Sequence, residues 1–319
     1  MKTKMNGLVR TAAVSLAALT LGTAHAADFT VGAKGTTTAD FLELGVGARG
    51  DAMGGAYTAV VDDAEALYWN PAALSSVQDH SATLMHAPYI DSSYYDSIQY
   101  AQKLGPGSIG VGLQYFNAGS ITQTDASGVS TGSFDPYDLA ISVGYGYKLN
   151  GMGVLDGYSV GAGVKWIQSR IATYASAEAL DLGLLSRGYM DDKFHWALTA
   201  TNIGTTEKFD QANENLPEMF SLGGSYKIMG NWLGSVNVDF PRGNAPYLAL
   251  GTEYSYNAGK GLGIAIRGGY STQTTSDVTG FTGFSFGAGI AFQKYSFDYA
   301  VVPFGDLGLT HRLSLSARF

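Results

Sequence analysis

The sequence predicts an all-β transmembrane protein, an antiparallel outer-membrane β-barrel of about 14 strands preceded by an N-terminal lumen plug with short helical turns. Three observations predict this fold: an export signal, a series of alternating strand-length segments, and an unusual composition. The chain holds 43 glycines and 20 tyrosines beside 8 prolines and no cysteine. Glycine is about twice its usual share, and glycine with aromatic residues in strand patterns is typical of closed β-architectures.

The first 26 residues are predicted to be a secretory signal peptide. Lys2, Lys4 and Arg10 form its positive region, a small-residue apolar stretch follows, and Ala24-His25-Ala26 is an A-x-A cleavage site. The apolar stretch is too short to anchor the chain in a membrane as a helix. With no cysteine, lipid attachment, disulfides and zinc–thiolate sites are excluded. The predicted division is a signal peptide at 1–26, an N-terminal extension with the plug at 27–78, and a barrel at 79–319.

The mature protein is expected to be acidic. Removal of the signal peptide takes away three positive charges and changes the formal net charge from −8 to −11. An acidic exported chain lacks the electrostatic footprint of a nucleic-acid-binding protein. We expect outer-membrane lipids and the barrel assembly machinery as its partners instead.

The strand segments alternate between apolar residues and small or polar ones. In YDLAISVGYGYK (137–148), one face carries tyrosine and aliphatic side chains while the other carries small and charged ones. Comparable segments place Lys165, Glu253, Arg267 and Asp298 on the polar face. A soluble β-sandwich also alternates, but a membrane barrel turns the apolar face to lipid and encloses the polar one. These four charges are therefore expected to face the lumen, where they define a pathway or, as we favour, hydrogen-bond the plug.

The segments have the length and spacing of membrane strands. Each has roughly the ten residues that a tilted strand needs, and their even number suits a bacterial barrel. Long polar connections, such as Asn117–Asp135 and Gly204–Leu216, alternate with tight turns, and only Asn150–Asp156 is longer than its position predicts. This pattern places both termini on the periplasmic side. The predicted strands lie near 79–87, 93–103, 108–117, 136–149, 157–169, 176–188, 193–203, 217–228, 231–240, 246–257, 261–271, 281–293, 294–302 and 310–319.

The final segment, HRLSLSARF, ends on a terminal aromatic residue. Leu313, Leu315 and Phe319 share its apolar face. The pattern resembles the C-terminal signal that the barrel assembly machinery recognises. The alternative is a last strand that ends in phenylalanine without that role.

Residues 41–78 lack the alternation of the later segments. Asp62 is expected to be an N-cap with acidic residues in the first helical turn, and Pro71 is expected to end that helix at Asn70. The Gly54-Gly55 pair permits close backbone contact. Such a compact piece before a barrel is predicted to lie in the lumen as a plug. A periplasmic extension packed beneath the barrel is the alternative.

The N-terminal pattern FLELGVGARGDAMGGAYTAVVDDAEALYWNPAAL (41–74) resembles the signature of the PorV/PorQ family. The agreement continues in segments 216–228, 267–271, 284–292 and 297–319. That family is similar in architecture to FadL-like barrels, which have fourteen strands and an N-terminal hatch with an Asn-Pro-Ala motif. The resemblance implies that Asn70, Pro71 and Ala72 form the corner of a hatch here. The implied hatch motif also includes Gly54, Gly55 and Arg49.

No motif indicates catalysis or a cofactor. GVGARG (45–50) matches the dinucleotide fingerprint by letter, but no βαβ unit surrounds it, and the glycine-rich sequence repeats the match at GPGSIG (105–110). His80 and His86 are six strand residues apart, too far for one metal ion. The sequence contains no H-E-x-x-H zinc motif. We therefore expect a non-enzymatic protein with no cofactor and no metal.

Two functional hypotheses remain. Resemblance to PorV implies a part in type IX protein secretion, with the extracellular loops binding secreted cargo or a larger translocon barrel. The alternative is a FadL-like transporter of hydrophobic small molecules, which requires an apolar pocket above the hatch. An open general porin conflicts with the predicted plug.

Overall fold

The protein is a closed antiparallel barrel of fourteen strands, as the sequence predicts. The computed structural model describes residues 28–171, 173–209, 212–275 and 278–319, so the predicted signal peptide lies outside the described residues. Strand β1 pairs with both β2 and β18, which closes the barrel. The barrel strands are β1 (His80–Pro88), β2 (Tyr94–Leu104), β3 (Gly107–Asn117), β6 (Tyr137–Lys148), β7 (Ser159–Arg170), β8 (Tyr174–Leu185), β9 (Phe194–Gly204), β12 (Met219–Met229), β13 (Trp232–Pro241), β14 (Tyr247–Gly259), β15 (Leu262–Ser271), β16 (Phe284–Phe292), β17 (Tyr295–Pro303) and β18 (Leu309–Arg318).

The two faces of the wall differ as the alternation predicts. Large apolar side chains such as Val164, Ile266 and Phe286 are exposed on the outside. Polar side chains on the opposite face, Lys165 and Glu253 among them, are buried. An apolar exterior with a polar interior is the arrangement of a barrel in lipid.

Aromatic side chains lie near both ends of the strands. Close to the long loops, the rings of Tyr94, Tyr115 and Tyr137 follow one another across three strands at centroid distances of 6.1 and 5.7 Å. At the opposite end, Tyr145 Oη donates to the carbonyl of Leu104 at 2.9 Å. Such aromatic girdles mark the two membrane–water interfaces of outer-membrane barrels.

Two of the long polar connections contain hairpins. Strands β4 (Ile121–Thr124) and β5 (Ser130–Phe134) pair within the first, and β10 (Glu207–Phe209) and β11 (Ala212–Glu214) pair within the second. The connection Asn150–Asp156 contains a 3-10 turn at Gly153–Leu155. Another 3-10 turn, Gly305–Leu307, precedes β18. Within the described part of the chain, no helix is long and apolar enough to cross a membrane.

The N-terminal segment, residues 28–79, consists of short helical turns. It contains α-helices at Ala48–Ala52 and Ala66–Trp69 and 3-10 turns at Val31–Ala33, Asp40–Glu43 and Pro71–Ser76. The predicted N-cap at Asp62 is wrong, because the helix begins only at Ala66 and Asp62 instead pairs with arginines. Asn70 ends this helix in an extended conformation, as expected before proline.

The N-terminal segment contacts inward-facing residues all around the wall. Ser314 on β18 accepts a hydrogen bond from the backbone of Ala48, and Ser81 on β1 accepts one from Ala64. Ser225 on β12 donates to the carbonyl of Ala59 at 2.9 Å. Because a buried irregular backbone needs partners for its polar groups, these hydroxyl groups allow the segment to pack without regular secondary structure. Ser108 and Ser285 likewise donate to backbone carbonyls of the segment, and Ser159 accepts from the hydroxyl group of Ser75.

Candidate functional site

The Asn-Pro corner is fixed by buried hydrogen bonds. The Oδ1 atom of Asn70 accepts from the Ala72 amide at 3.0 Å, and Nδ2 donates to the Thr58 carbonyl at 3.1 Å. Pro71 occupies the first position of the following 3-10 turn, where its missing amide hydrogen costs nothing. The corner therefore joins two parts of the N-terminal segment that are twelve residues apart.

The glycine pair at 54 and 55 lies against the opposite wall. Both residues have left-handed backbone angles, with φ of 68° and 81°. A Cβ atom on Gly54 would lie 2.8 Å from the Tyr270 amide nitrogen on β15. Only glycine combines this backbone conformation with so close an approach.

Arg49 connects the N-terminal segment to the charged lumen residues. Its guanidinium donates two hydrogen bonds to the carboxylate of Glu253, at 2.8 and 2.9 Å, and lies 3.0 Å from Asp62. Arg267 pairs with Glu253 and with Asp298, at 2.6 Å each. Three of the four predicted lumen charges thus form one network, but only Glu253 bonds the segment directly. The expectation that most of them hydrogen-bond the segment is wrong, because Arg267 and Asp298 satisfy each other within the wall.

Lys165, the fourth predicted lumen charge, lies in a separate cluster. Its Nζ atom is 2.9 Å from Asp181 and 2.6 Å from the amide oxygen of Asn202, and it lies 6.0 Å from the ring centroid of Tyr68. The pairing of β8 with β9 changes register between Leu180 and Leu182, beside Asp181. Lys165 therefore has a carboxylate partner in the wall and contacts the segment only through the ring.

A cavity of about 270 Å³ lies between the N-terminal segment and the long loops. Tyr68 and Trp69 contribute rings from the segment, while Tyr247 contributes a ring from the wall. Trp69 is held by a 2.7 Å hydrogen bond from its indole nitrogen to the Val46 carbonyl. The aromatic side of the cavity is thus fixed by the fold of the segment.

Charged side chains form another part of the cavity lining. Asp51 pairs with Arg312 there. Asp40, Glu43 and Asp239 also line it, and none of them lies in a salt bridge with a described residue. Burial raises the pKa of Glu43 to about 7, and the neighbouring carboxylates of Asp40 and Asp239 add to the rise. Within the described ranges, no three His, Asp or Glu side chains are grouped closely enough to hold a metal ion.

The sequence identifies only part of this cavity. Lys165 is a predicted lumen charge and lines it, as do Gly54 and Gly55. Glu43 and Trp69 have no motif or spacing that marks them, and they come together with Tyr247 only through the packing of the segment on the wall. A second opening, at the end of the barrel with the tight turns, is lined instead by Arg49, Glu253, Arg267 and Asp298.

The predicted assembly residues lie on the outer surface. Leu313, Leu315 and Phe319 are exposed along one face of the last strand. Phe319 and His80 exchange backbone hydrogen bonds of 3.0 and 2.8 Å, and their rings stack at 5.3 Å. The C-terminal aromatic residue therefore takes part in closing the barrel, and its role as an assembly signal stays a prediction.

Comparison with known proteins identifies the family. A family model described as Uncharacterised protein family (UPF0164) matches residues 10–178, more than half of the chain. The chain belongs to the UPF0164 family. No curated protein matches this UPF0164 member.

Three solved structures share the architecture of this UPF0164 protein. The Pseudomonas putida toluene transporter TodX has 13% sequence identity and a TM-score of 0.56, over 86% of this chain and 96% of its own. A Pseudomonas aeruginosa FadL homologue has 12% identity and a TM-score of 0.57, over 86% and 98%. The CymD monoaromatic hydrocarbon channel has 13% identity and a TM-score of 0.58, also over 86% and 98%. These likenesses support the FadL-like architecture and leave the PorV/PorQ assignment unconfirmed.

Proposed function

We propose that the protein is a non-enzymatic outer-membrane transporter of small hydrophobic molecules and that the N-terminal segment is a hatch in its lumen. The observation that carries the proposal is the partly aromatic cavity between this segment and the long loops. A ligand entering from the loop side would meet the rings of Tyr68 and Trp69 before it reached the Asn-Pro corner. Ligand pockets are concave and combine apolar walls with a few polar groups.

The contacts of the hatch favour a closed resting state. Hydrogen bonds join it to β1, β12 and β18, and the Arg49–Glu253 pair joins it to β14. Glycines on further strands leave room for its backbone. A lumen filled in this way would block free diffusion, so the proposal excludes an open general porin.

The named structures favour the importer over the secretion component. Two of them are described as a toluene transporter and a monoaromatic hydrocarbon channel. The type IX role, which rests on the PorV/PorQ resemblance, receives no support from them. Outer-membrane location is part of the same proposal, since the barrel exposes large apolar side chains as a barrel in lipid does.

Uptake of toluene tests the proposal. Cells with a lipopolysaccharide outer leaflet, with and without the protein, would be compared for their initial uptake of radiolabelled toluene. We expect faster uptake with the wild type and loss of most of that gain in Thr201→Trp, because Thr201 lines the cavity. Thr122→Trp is the matched control, because Thr122 is exposed in the β4–β5 hairpin, away from the cavity. Equal uptake with and without the protein would refute the transporter.

A further inference from the structure

We infer that the cavity selects small aromatic molecules that carry a protonated amine over neutral ones of the same size. The inference rests on the proposed function and specifies the substrate class of the same site. It follows from three properties of the lining: an excess of unpaired carboxyl groups, a buried amide oxygen without a partner, and aromatic rings beside them.

The first property is the charge balance of the lining. The two cations that line the cavity already have partners, Lys165 in Asp181 and Arg312 in Asp51. The carboxyl groups of Asp40, Glu43 and Asp239 have no cation within 4.0 Å among the described residues, although Thr37 hydrogen-bonds Asp40 and the side chains of Ser221 and Asn237 hydrogen-bond Asp239. Asp239 is buried, and a buried carboxylate without a cation beside it is costly. A ligand that brings a positive charge would remove that cost.

The second property is a buried hydrogen-bond acceptor without a partner on β13, the strand that also carries Asp239. Asn237 is 2% exposed and lines the cavity, and its Oδ1 atom has no hydrogen-bond partner, while its Nδ2 atom contacts Thr58 Oγ1 at 2.5 Å. Asp239 lies two residues further along β13 on the same face and is 4% exposed. Buried polar atoms in native proteins are rarely left without a partner. An ammonium group has three donors and no acceptor, which matches this lining.

The third property is the position of the aromatic rings. Tyr68, Trp69 and Tyr247 line the same cavity as Glu43 and Asp239. A cation over an aromatic face is stabilised by the ring quadrupole, and aromatic cages use this effect to bind ammonium ligands. At about 270 Å³, the cavity is slightly smaller than the usual range for ligand pockets, roughly 300–1,000 Å³. The space therefore suits a single ring with a short substituent.

Benzylamine and toluene share a ring and differ in the amine. Comparing them therefore tests the amine preference separately from the proposed binding of hydrophobic molecules. Isothermal titration calorimetry on the detergent-solubilised full-length barrel would measure both ligands. We expect the wild type to bind benzylamine more tightly than toluene. Asp239→Asn and Glu43→Gln are each expected to weaken benzylamine binding about tenfold while toluene binding stays unchanged, since a close charge pair contributes at least this much.

Asp138→Asn is the matched control for these variants. Asp138 is an inward-facing carboxyl group outside the cavity lining, so its substitution should leave both affinities unchanged. The shift in gel mobility between unheated and heated samples establishes that each variant is folded. Toluene binding without a preference for benzylamine, or a preference that survives both substitutions, would overturn the inference and leave the transporter intact. Binding of neither ligand by the folded wild type would overturn both.

Discussion

At the scale of single residues, the cavity depends on a few side chains in unusual surroundings. Glu43 lies in a 3-10 turn of the N-terminal segment, the proposed hatch, and has no cationic partner among the residues described. Burial raises its pKa to about 7, so the carboxyl group changes charge near neutral pH. It shares the cavity with other titratable and charged groups on the hatch and the wall: Asp40, Asp51, Tyr68, Tyr89, Lys165, Asp239, Tyr247 and Arg312.

This pKa predicts that binding of an amine depends on pH. At about pH 6 the Glu43 carboxyl group is mostly neutral, and at about pH 8 it is mostly ionised, whereas an alkylamine stays protonated at both. Benzylamine affinity should therefore rise as the pH is increased, by up to about tenfold. Titrations at the two pH values would measure the change. In Glu43→Gln most of the rise should be lost, and an equal rise in that variant would assign the effect to another group.

The same ionisation affects stability in the opposite direction. The pKa of Glu43 in the folded protein is above its ordinary value of 4.5. Between these two values the folded state holds more protons than the unfolded state. The contribution of Glu43 to the free energy of unfolding is therefore greatest at low pH and decreases as the pH rises towards 7. A bound ammonium group would offset this cost, which links ligand binding to stability.

Local sequence rules account for some of these residues and not for others. The corner at Asn70 and Pro71 was predictable because proline constrains the residue before it. The pairing of Arg49 with Glu253 was not, because the two residues are 204 positions apart and nothing in either local sequence specifies the other. The carboxyl groups of Glu43 and Asp239 are likewise brought together only by the packing of the hatch on the wall.

At the scale of elements, the glycines of the strands determine where the hatch packs. A Cβ atom on Gly161 of β7 would lie 2.2 Å from the backbone carbon of Pro71, and one on Gly183 of β8 would lie 2.2 Å from Asn70 Oδ1. On the opposite wall, a Cβ atom on Gly269 would lie 2.1 Å from the amide nitrogen of Gly54. The strands nearest the hatch thus lack side chains where its backbone approaches.

A methyl group at one of these glycines should displace the hatch. Gly161→Ala places the new carbon against the backbone of Pro71, which cannot move aside as a flexible side chain would. We expect the free energy of unfolding in detergent to fall by about 1–3 kcal/mol, the usual cost of overpacking. Gly263→Ala is the control, because its new carbon would meet its nearest neighbour at an ordinary 3.7 Å. Equal stability of the two variants in denaturant titrations would contradict this role of Gly161.

The elements were predictable to the extent that burial imposes a period on the sequence. The barrel strands alternate because one face contacts lipid and the other the lumen. The β4–β5 hairpin lacks this signal, since the residues from Ile121 to Ser133 are exposed on both faces. The start of the short helix at Ala66–Trp69 was also wrongly predicted, because it depends on tertiary contacts of Asp62 and Asp63 with arginines.

At the scale of the whole molecule, closure concerns both the wall of the barrel and its lumen. The wall has no free edge, because β1 pairs with β18 and the last residue bonds His80. The lumen is proposed to be closed by the hatch, which ion pairs and hydrogen bonds join to strands around the wall. The cavity lining carries net negative charge, while the outer surface of the wall is apolar. A ligand on the proposed path would therefore meet a charged lining, with the wall between it and the lipid.

Ion conductance across a planar bilayer tests the closed lumen most directly. The purified wild-type protein is predicted to show no steady conductance of the size that an open porin gives. Asp51→Ala combined with Arg49→Ala removes two charges by which the hatch is held to β18 and β14, and this variant is predicted to conduct. The control, Asp96→Ala combined with Lys103→Ala, removes one charge of each sign from β2 outside these contacts and should stay silent. Steady porin-like conductance by the folded wild type would contradict the account.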